Sequence, residues 1–257
     1  MFTIFPFFWI VITSFKLTKD IMTNEIFSKP TLKNYLVIFA PRSPFPRYLL
    51  NSFVTAVVST LLSIFTGVLA SYSLSRFRYA IRVDTYILAF LLFTRMIFPV
   101  ALAIPFYALM QMLGLYDTVL ALILVNTAVN VPFAIWMLKA FFDEFPENIE
   151  DAAKVDGCST LGVLVKIALP LIKPGIAAAA IFVFMLSWND YLFAATLTTS
   201  PRAMTLPIGL ANFIQENIVQ WGPMSAGAAL FTVPIFLFAS LVQEHLIKGF
   251  SLGSFKG

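Results

Sequence analysis

Two long stretches without a charged side chain restrict what this chain can fold into. Residues 48–75 are uncharged over 28 positions, and residues 118–138 over 21. A helix of about 20 apolar residues crosses the hydrocarbon core of a bilayer. Only 12% of the 257 residues are charged, whereas soluble domains carry about 25%. The sequence therefore predicts an all-α integral membrane protein that forms a single transmembrane domain.

The distribution of apolar segments predicts six membrane spans. Residues 1–15 are apolar but short, so they are interpreted as a truncated or unusually short first span. The other predicted spans are residues 49–75, 85–109, 118–138, 175–197 and 222–243. Residues 198–221 are predicted to form an external loop. Six spans place both termini on the cytoplasmic side, and the count of nine inner against seven outer lysines and arginines agrees with this by a thin margin.

The most polar part of the chain is a hairpin at residues 143–174, which holds six of the 13 acidic residues. Pro146 and the acids after it favour the start of a first helix. Gly157 predicts a left-handed stop, and Ser159 or Thr160 the cap of a second helix.

Apolar residues in the second helix of the hairpin recur at helical spacing, which predicts one buried stripe. Its members are Leu161, Leu164, Val165 and Ala168. Pro170 is predicted to end this helix.

The hairpin resembles the "EAA…G…I-LP" loop of binding-protein-dependent ABC importer permeases. The sequence DAAKVDG at residues 151–157 is followed, nine residues later, by Ile167, Leu169 and Pro170, and this spacing matches the family pattern. The glutamate of the family is Asp151 here, which keeps the charge and shortens its reach. In that family the loop is a cytoplasmic coupling helix seated in a groove of the ATP-binding subunit. The alternative is a polar loop that only joins two helices.

The resemblance implies a set of hairpin residues that couple this chain to an ATPase. They are Glu150, Asp151, Ala152, Ala153, Asp156, Gly157, Ile167, Leu169 and Pro170. The chain has no glycine-rich phosphate loop, so ATP and Mg²⁺ are expected in a separate partner ATPase, with no cofactor bound directly. One cysteine and one histidine provide neither a disulfide nor a metal framework, and no catalytic constellation is present.

Further motifs resemble the carbohydrate-uptake permeases, in particular the smaller permease subunit of the maltose transporter. They include the Arg-Met-x-x-Pro motif that begins at Arg95, the Trp-Asn-Asp motif at residues 188–190, and the tail at residues 249–257. The resemblance implies a bacterial or archaeal cytoplasmic (inner) membrane, a second homologous permease subunit and two ATP-binding subunits at the cytoplasmic face. It also implies an external solute-binding protein that delivers a sugar, expected to be a di- or oligosaccharide. No nucleic-acid partner is expected, because the net charge of +4 is spread over short loops. The alternatives are a non-sugar solute such as glycerol-phosphate, an ion-coupled secondary transporter, or a membrane-embedded enzyme.

Three polar residues inside predicted spans are candidates for a cavity or translocation path: Arg95, Asn189 and Asp190. Arg95 is expected ~16 Å into its span at 1.5 Å per residue, where a charge costs at least ~2.5 kcal/mol unless it is paired or hydrated. It is either an internal anchor or a group that lines a cavity. Trp188 and Tyr191 are interpreted as interfacial belt residues. Asn189 and Asp190 favour either a wet cavity or an interhelical hydrogen bond.

Overall fold

The computed structural model describes residues 5–23, 28–77, 83–214 and 219–253, and all regular structure in these ranges is helical, apart from an isolated bridge between Ile214 and Val219. This confirms the predicted all-α class for the described part of the chain. Some positions of the predicted segments lie outside it: residues 1–4 of the first span, residues 215–218 of the external loop, and residues 254–257 of the tail.

Three short helices open the chain: α1 (Phe5–Ser14), α2 (Thr18–Met22) and α3 (Lys33–Ile38). The amide of Asn34, at the start of α3, donates hydrogen bonds of 2.8 Å to the carbonyls of Ser14 and Lys16. This ties α3 to the carboxyl end of α1. With 10 residues, α1 is about 15 Å long and shorter than the hydrocarbon core.

Helix α4 (Phe45–Arg76) has 32 residues and includes the predicted span 49–75. Pro44 is its N-cap residue and Pro46 lies in its first turn, where a missing N–H costs nothing. Small residues line the face that it buries. A Cβ added at Gly67 would lie 2.9 Å from the Cβ of Ala134 on a later helix, so the two backbones approach closely there.

The predicted third span is not one helix through residues 85–109. It consists of α5 (Val83–Met96) and α6 (Pro99–Met112), which meet at an angle of 96°. Pro99 occupies the first turn of α6, where its missing N–H and fixed φ are tolerated, whereas a proline in a helix interior favours a kink or a break. Pro105, by contrast, lies inside α6 without ending it.

Helix α7 (Val119–Glu144) covers residues 119–138 of the predicted span 118–138 and packs along α4. Thr118 caps the helix, because its hydroxyl accepts a hydrogen bond from the amide of Ala121. The hairpin follows. It comprises α8 (Glu147–Val155), α9 (Thr160–Val163), a π-helical turn at Leu164–Ala168 and α10 (Leu169–Leu171).

The last part of the chain contains α11 (Lys173–Trp188), α12 (Leu192–Leu197), α13 (Leu206–Ala211) and α14 (Trp221–Gly253). The predicted fifth span 175–197 is therefore interrupted after Trp188, and the external loop contains a helix. By length and composition, three helices in the described part of the chain can cross a bilayer, or up to five spans if each of two sharply bent helix pairs counts as one.

The bundle has two distinct ends. Three buried apolar clusters fill it: one is grouped around Phe45 and Trp188, a second around Phe142 and Leu164, and a third around Leu122 and Leu197. We call the end with the hairpin at residues 143–174 the hairpin end. The opposite end, where residues 197–206 meet the turn before α7, is called the loop end.

Candidate functional site

The first helix of the hairpin stops at Gly157 through a Schellman motif. Gly157 has φ +87°, its amide donates to the carbonyl of Lys154, and the amide of Cys158 donates to the carbonyl of Ala153. The hydroxyl of Ser159 then accepts a hydrogen bond from the amide of Gly162 and caps α9. Both the left-handed stop and the cap that were predicted from the sequence are confirmed.

The second helix of the hairpin departs from the prediction in two ways. Leu164 and Ala168 are buried, but Leu161 and Val165 are largely exposed, so the predicted single stripe is wrong. The π-helical turn at Leu164–Ala168 is wider than an α-turn and shifts which side chains face inward. Pro170 does not end the helix either, because it lies in the first turn of α10, which continues to Leu171.

A buried ionic network fastens α8 to the end of α4. The side chain of Glu150 is 1% exposed. Its Oε1 accepts a hydrogen bond of 2.7 Å from Nε of Arg76, and its Oε2 accepts one of 2.9 Å from the hydroxyl of Tyr72. Arg76 also donates from Nη2 to the carbonyl of Phe145 at 3.0 Å and lies over the ring of that residue. Both oxygens of the buried carboxylate are therefore satisfied within this chain.

The other acids of the hairpin are exposed. The side chain of Asp151 is 66% exposed and pairs with Lys154 at 3.1 Å. Ala152, Asp156 and Gly157 are exposed, while Ala153 is buried. Of the remaining predicted coupling residues, Pro170 is exposed, and Ile167 and Leu169 are half-buried. The hairpin thus presents a mixed acidic and small-residue surface.

A second contact joins α4 to α7 at the hairpin end. The hydroxyl of Ser75 donates to Asp143, and Nζ of Lys139 reaches both oxygens of the same carboxylate at 2.9 and 2.7 Å. The carboxylate links the last turns of the two helices. Because it is about half exposed, its contribution to stability is small.

Polar side chains also lie between the helices, midway along the bundle. Asn130 on α7 donates to the hydroxyl of Ser187 on α11 at 3.1 Å, and Ser59 on α4 donates to the same hydroxyl at 3.0 Å. One turn further along α7, Asn126 donates to Oδ2 of Asp190 at 3.1 Å. These contacts connect three helices through hydrogen bonds in an otherwise apolar interior.

Asp190 and Asn189 occupy the break between α11 and α12. Oδ1 of Asp190 accepts a hydrogen bond from the amide of Phe193 at 3.1 Å and so caps the start of α12. The amide of Asn189 donates back to the carbonyl of Met185, and its side chain is exposed. Trp188 is only 2% exposed and stacks on the rings of Phe184 and Phe231, so its interpretation as an interfacial belt residue is wrong.

Arg95 lies at the end of α5, just before the bend. It lines a cavity of about 230 Å³ together with residues of α6 and α7. Its guanidinium lies 5.2 Å from the centre of the Phe133 ring and has no hydrogen bond or ion pair with another residue in the part of the chain that the structure describes. Arg95 is thus a cavity-lining group here, and it makes no hydrogen bond or ion pair with Asn189 or Asp190.

At the loop end, a buried aspartate that the sequence interpretation missed holds the external loop. Asp117 has φ +57°. Its Oδ1 accepts hydrogen bonds from the amides of Thr199 and Ser200, and its Oδ2 accepts from the Ser200 hydroxyl and from Nε of Arg202. Burial by itself raises the pKa of Asp117, but the hydrogen bonds outweigh it and lower the pKa from 3.8 to about 2.

Helix α4 holds the same loop from the other side. The amide of Asn51 donates to the carbonyls of Arg202 and Met204, at 3.1 and 2.9 Å, and the hydroxyl of Ser52 accepts from the amide of Leu206 at 2.7 Å. The loop at residues 198–206 is therefore fixed to two helices.

Some of these residues carried a signal in the sequence. Asn126 and Asn130 are four residues apart inside an uncharged span, and polar residues there indicate contact between helices. The pairing of Glu150 with Arg76 had no comparable signal, because the partners are 74 residues apart.

The comparisons with known proteins identify the family. The family of binding-protein-dependent transport system inner membrane components matches residues 59–251. The chain belongs to this family. The resemblance to ABC importer permeases that the hairpin indicated is confirmed.

Three curated relatives match along nearly the whole chain. The inner membrane ABC transporter permease protein YcjP of Escherichia coli is 36% identical, covering 99% of this chain and 92% of that protein. The trehalose transport system permease protein SugB of Mycobacterium tuberculosis is 34% identical, covering 100% of this chain and 93% of that protein. The trehalose/maltose transport system permease protein MalG of Thermococcus litoralis is 32% identical, covering 99% of this chain and 92% of that protein. The chain is therefore a multi-pass inner-membrane ABC transporter permease, and its relatives include sugar permeases.

Two solved structures share the fold. A bacterial ABC transporter involved in the import of the acidic polysaccharide alginate matches with a TM-score of 0.80 at 22% identity, covering 94% of this chain and 90% of that chain. A bacterial alginate ABC transporter in complex with an alginate pentasaccharide-bound periplasmic protein matches with a TM-score of 0.66 at 13% identity, covering 82% and 81%.

Proposed function

We propose that this chain is one permease subunit of an ATP-driven importer that moves a sugar, delivered by an external solute-binding protein, by alternating access. The hairpin carries this proposal. The exposed Asp151 and Asp156, with the small residues Ala152 and Gly157 beside them, suit a docking surface. The buried side of the hairpin is fastened to α4 through Glu150. In this proposal ATP is bound and hydrolysed by two separate ATP-binding subunits, and the sugar path runs between this chain and a second homologous permease.

The exposed side of the hairpin includes large apolar side chains as well as charges. Val155 is 87% exposed, and Leu161 and Val165 are exposed beside it. On a surface that faces water, such side chains favour a protein partner. We assign this surface to an ATP-binding subunit in the cytoplasm, with α8 as the coupling helix. The proposed topology has six spans and both termini in the cytoplasm.

Arg95 and the pair Asn189–Asp190 are proposed to line the translocation path. Both positions lie at helix breaks, one between α5 and α6 and the other between α11 and α12. Irregular backbone within the bilayer is tolerated where it is buried or lines a water-filled cavity. The cavity beside Arg95 supports this placement, and an unpaired guanidinium suits the hydroxyl or carboxylate oxygens of a saccharide.

The external loop is proposed as the contact for the solute-binding protein. Asp117 and Asn51 hold residues 199–204 in a defined conformation, and the side chain of Arg202 remains exposed. A loop that is ordered before binding loses less conformational entropy when a partner docks.

Co-purification followed by an ATPase assay tests the proposal and the solute class. We expect the tagged chain to bring down a second permease and an ATP-binding subunit from its native membrane. In the reconstituted complex, the loaded binding protein is expected to stimulate ATP hydrolysis with a mono-, di- or oligosaccharide. If glycerol-phosphate stimulates ATP hydrolysis and none of the sugars does, the sugar assignment is contradicted and the alternative solute class is favoured.

The single thiol tests the topology. Cys158 lies in the turn of the hairpin and is half-buried. A membrane-impermeant maleimide is expected to label it from the cytoplasmic side, and more slowly when the ATPase is docked. Labelling from outside in intact cells would contradict the orientation.

A further inference from the structure

We propose that Glu150 is a positioning residue: its buried ion pair with Arg76 fixes the coupling helix to α4, so that displacement of α8 moves α4. In this arrangement the neighbouring Asp151 is left to face the ATPase. The inference rests on the proposed function in one respect, because an ATP-binding subunit must push on α8. Glu150 thus faces inward and links α8 to α4, whereas Asp151 faces outward and contacts the ATPase.

The geometry excludes Glu150 from direct contact with another subunit. Its side chain is 1% exposed, and both carboxylate oxygens already accept hydrogen bonds, from Arg76 and from Tyr72. A group without accessible surface cannot dock on a partner, whereas a buried charge pair resists separation, since removing one member leaves the other unpaired in an apolar site.

The link is made at two points on α4. Tyr72 and Arg76 are four residues apart, so they project from the same face over one helical turn. Arg76 additionally holds the carbonyl of Phe145, immediately before α8 begins. The guanidinium therefore bridges the entry to the hairpin and the helix itself, and α8 cannot slide or rotate on α4 without breaking charged hydrogen bonds.

The α4 helix is well placed to transmit this displacement. It continues without interruption for 32 residues from the hairpin end to the loop end. Close to its middle, Gly67 packs on Ala134 of α7, and Ser59 joins the polar contact with α11. A movement imposed at Arg76 is thus applied to a long, continuous helix that packs on both α7 and α11.

The test compares Glu150→Gln with Glu147→Gln in the complete reconstituted complex. Glu147 lies on the same helix, and its exposed side chain makes no hydrogen bond or ion pair with another described residue. We expect Glu150→Gln to assemble with the ATPase and to lower the amount of sugar transported per ATP hydrolysed about tenfold, a typical size for coupling between residues in contact. Glu147→Gln is expected to keep the wild-type ratio.

Exchanging the charges of Arg76 and Glu150 distinguishes a loss of positioning from a general loss of stability. Arg76→Glu combined with Glu150→Arg is expected to recover at least half of the wild-type ratio, which a merely destabilised variant would not do. Asp151→Asn is expected to give a different result, namely weaker ATPase binding with an unchanged ratio in the complexes that form.

A second measurement does not depend on the ATPase. A nitroxide spin label on Cys158 reports the mobility of the hairpin in the isolated chain by EPR. Mobility is expected to rise in Glu150→Gln and in the milder Tyr72→Phe, and to remain unchanged in Glu147→Gln.

The outcomes are distinct. Wild-type transport per ATP in Glu150→Gln, or an unchanged label mobility in both Glu150→Gln and Tyr72→Phe, would overturn the inference. If Glu150→Gln does not fold, the mobility of the spin label in Tyr72→Phe decides by itself whether the inference holds. If the wild-type chain neither binds an ATPase nor shows ATP-dependent uptake, the proposed function fails, while the spin label still reports whether Glu150 fixes α8.

Discussion

Replacing Asp117 with asparagine tests how the loop end of the bundle is held together. The carboxylate of Asp117 accepts four hydrogen bonds from Thr199, Ser200 and Arg202. Asparagine has nearly the same shape and still accepts a hydrogen bond on one oxygen, but it carries no charge. The substitution therefore removes the charge and the two hydrogen bonds that the replaced oxygen accepts, while the backbone sequence of the turn is unchanged.

The expected magnitude follows from the pKa of this carboxyl group. Its pKa is about 2 in the folded chain and 3.8 ordinarily, and one unit corresponds to about 1.36 kcal/mol. Because the guanidinium of Arg202 is exposed and solvent screens its charge, we expect about 1–2 kcal/mol rather than the full value. This corresponds to a decrease in Tm of about 2–8 °C for a chain of this size.

The sign of the pH dependence is also determined. Since the folded-state pKa lies below the ordinary value, the charge stabilises the fold above pH about 4, and this contribution is lost as the pH falls towards about 2. Thermal unfolding in detergent from pH 7 to pH 3 is the assay. The difference in Tm between wild type and Asp117→Asn should be constant above pH about 4 and narrow below it, while the exposed Glu144→Gln should match wild type. Equal Tm values at pH 7, or a difference that widens on acidification, would refute this account.

Three further substitutions test the packing. Gly67→Val should destabilise the chain by about 1–3 kcal/mol, because even a Cβ there lies 2.9 Å from that of Ala134; an unchanged Tm in detergent would show that α4 and α7 are not in close contact. Ser187→Ala should cost about 1–3 kcal/mol by leaving the buried amide of Asn130 without its acceptor, and a Tm equal to that of wild type would argue against this contact. Gly157→Ala should cost about 1–2 kcal/mol because its φ is +87°, measured as a lower Tm; a neutral effect would be inconsistent with the left-handed turn.

Local chemistry made part of the structure predictable from the sequence. Gly157 and Ser159 act on backbone groups within five residues of themselves, so their roles as helix stop and helix cap could be inferred without knowing the fold. The same holds for α4 and α7, whose long uncharged runs specify helices regardless of their neighbours.

The features that the sequence interpretation missed depend on residues far away in the chain, or on which of two similar neighbouring residues takes a given role. Glu150 and Asp151 are adjacent acids, and only the position of Arg76 decides which of them is buried. Asp117 is held by residues more than 80 positions later. Pro99 and Pro105 look equivalent in the sequence, yet Pro99 begins a helix after a 96° bend and Pro105 lies within that helix.

Solute uptake into proteoliposomes tests the central claim most directly. Vesicles are prepared with this permease and its co-purified partner permease, with or without the ATP-binding subunits, and a radiolabelled sugar is added with the solute-binding protein. We expect accumulation inside the vesicles only when the ATP-binding subunits are present and ATP is supplied on the side of the hairpin. Equal uptake by vesicles that lack the ATP-binding subunits would contradict the claim that this chain is driven through its hairpin.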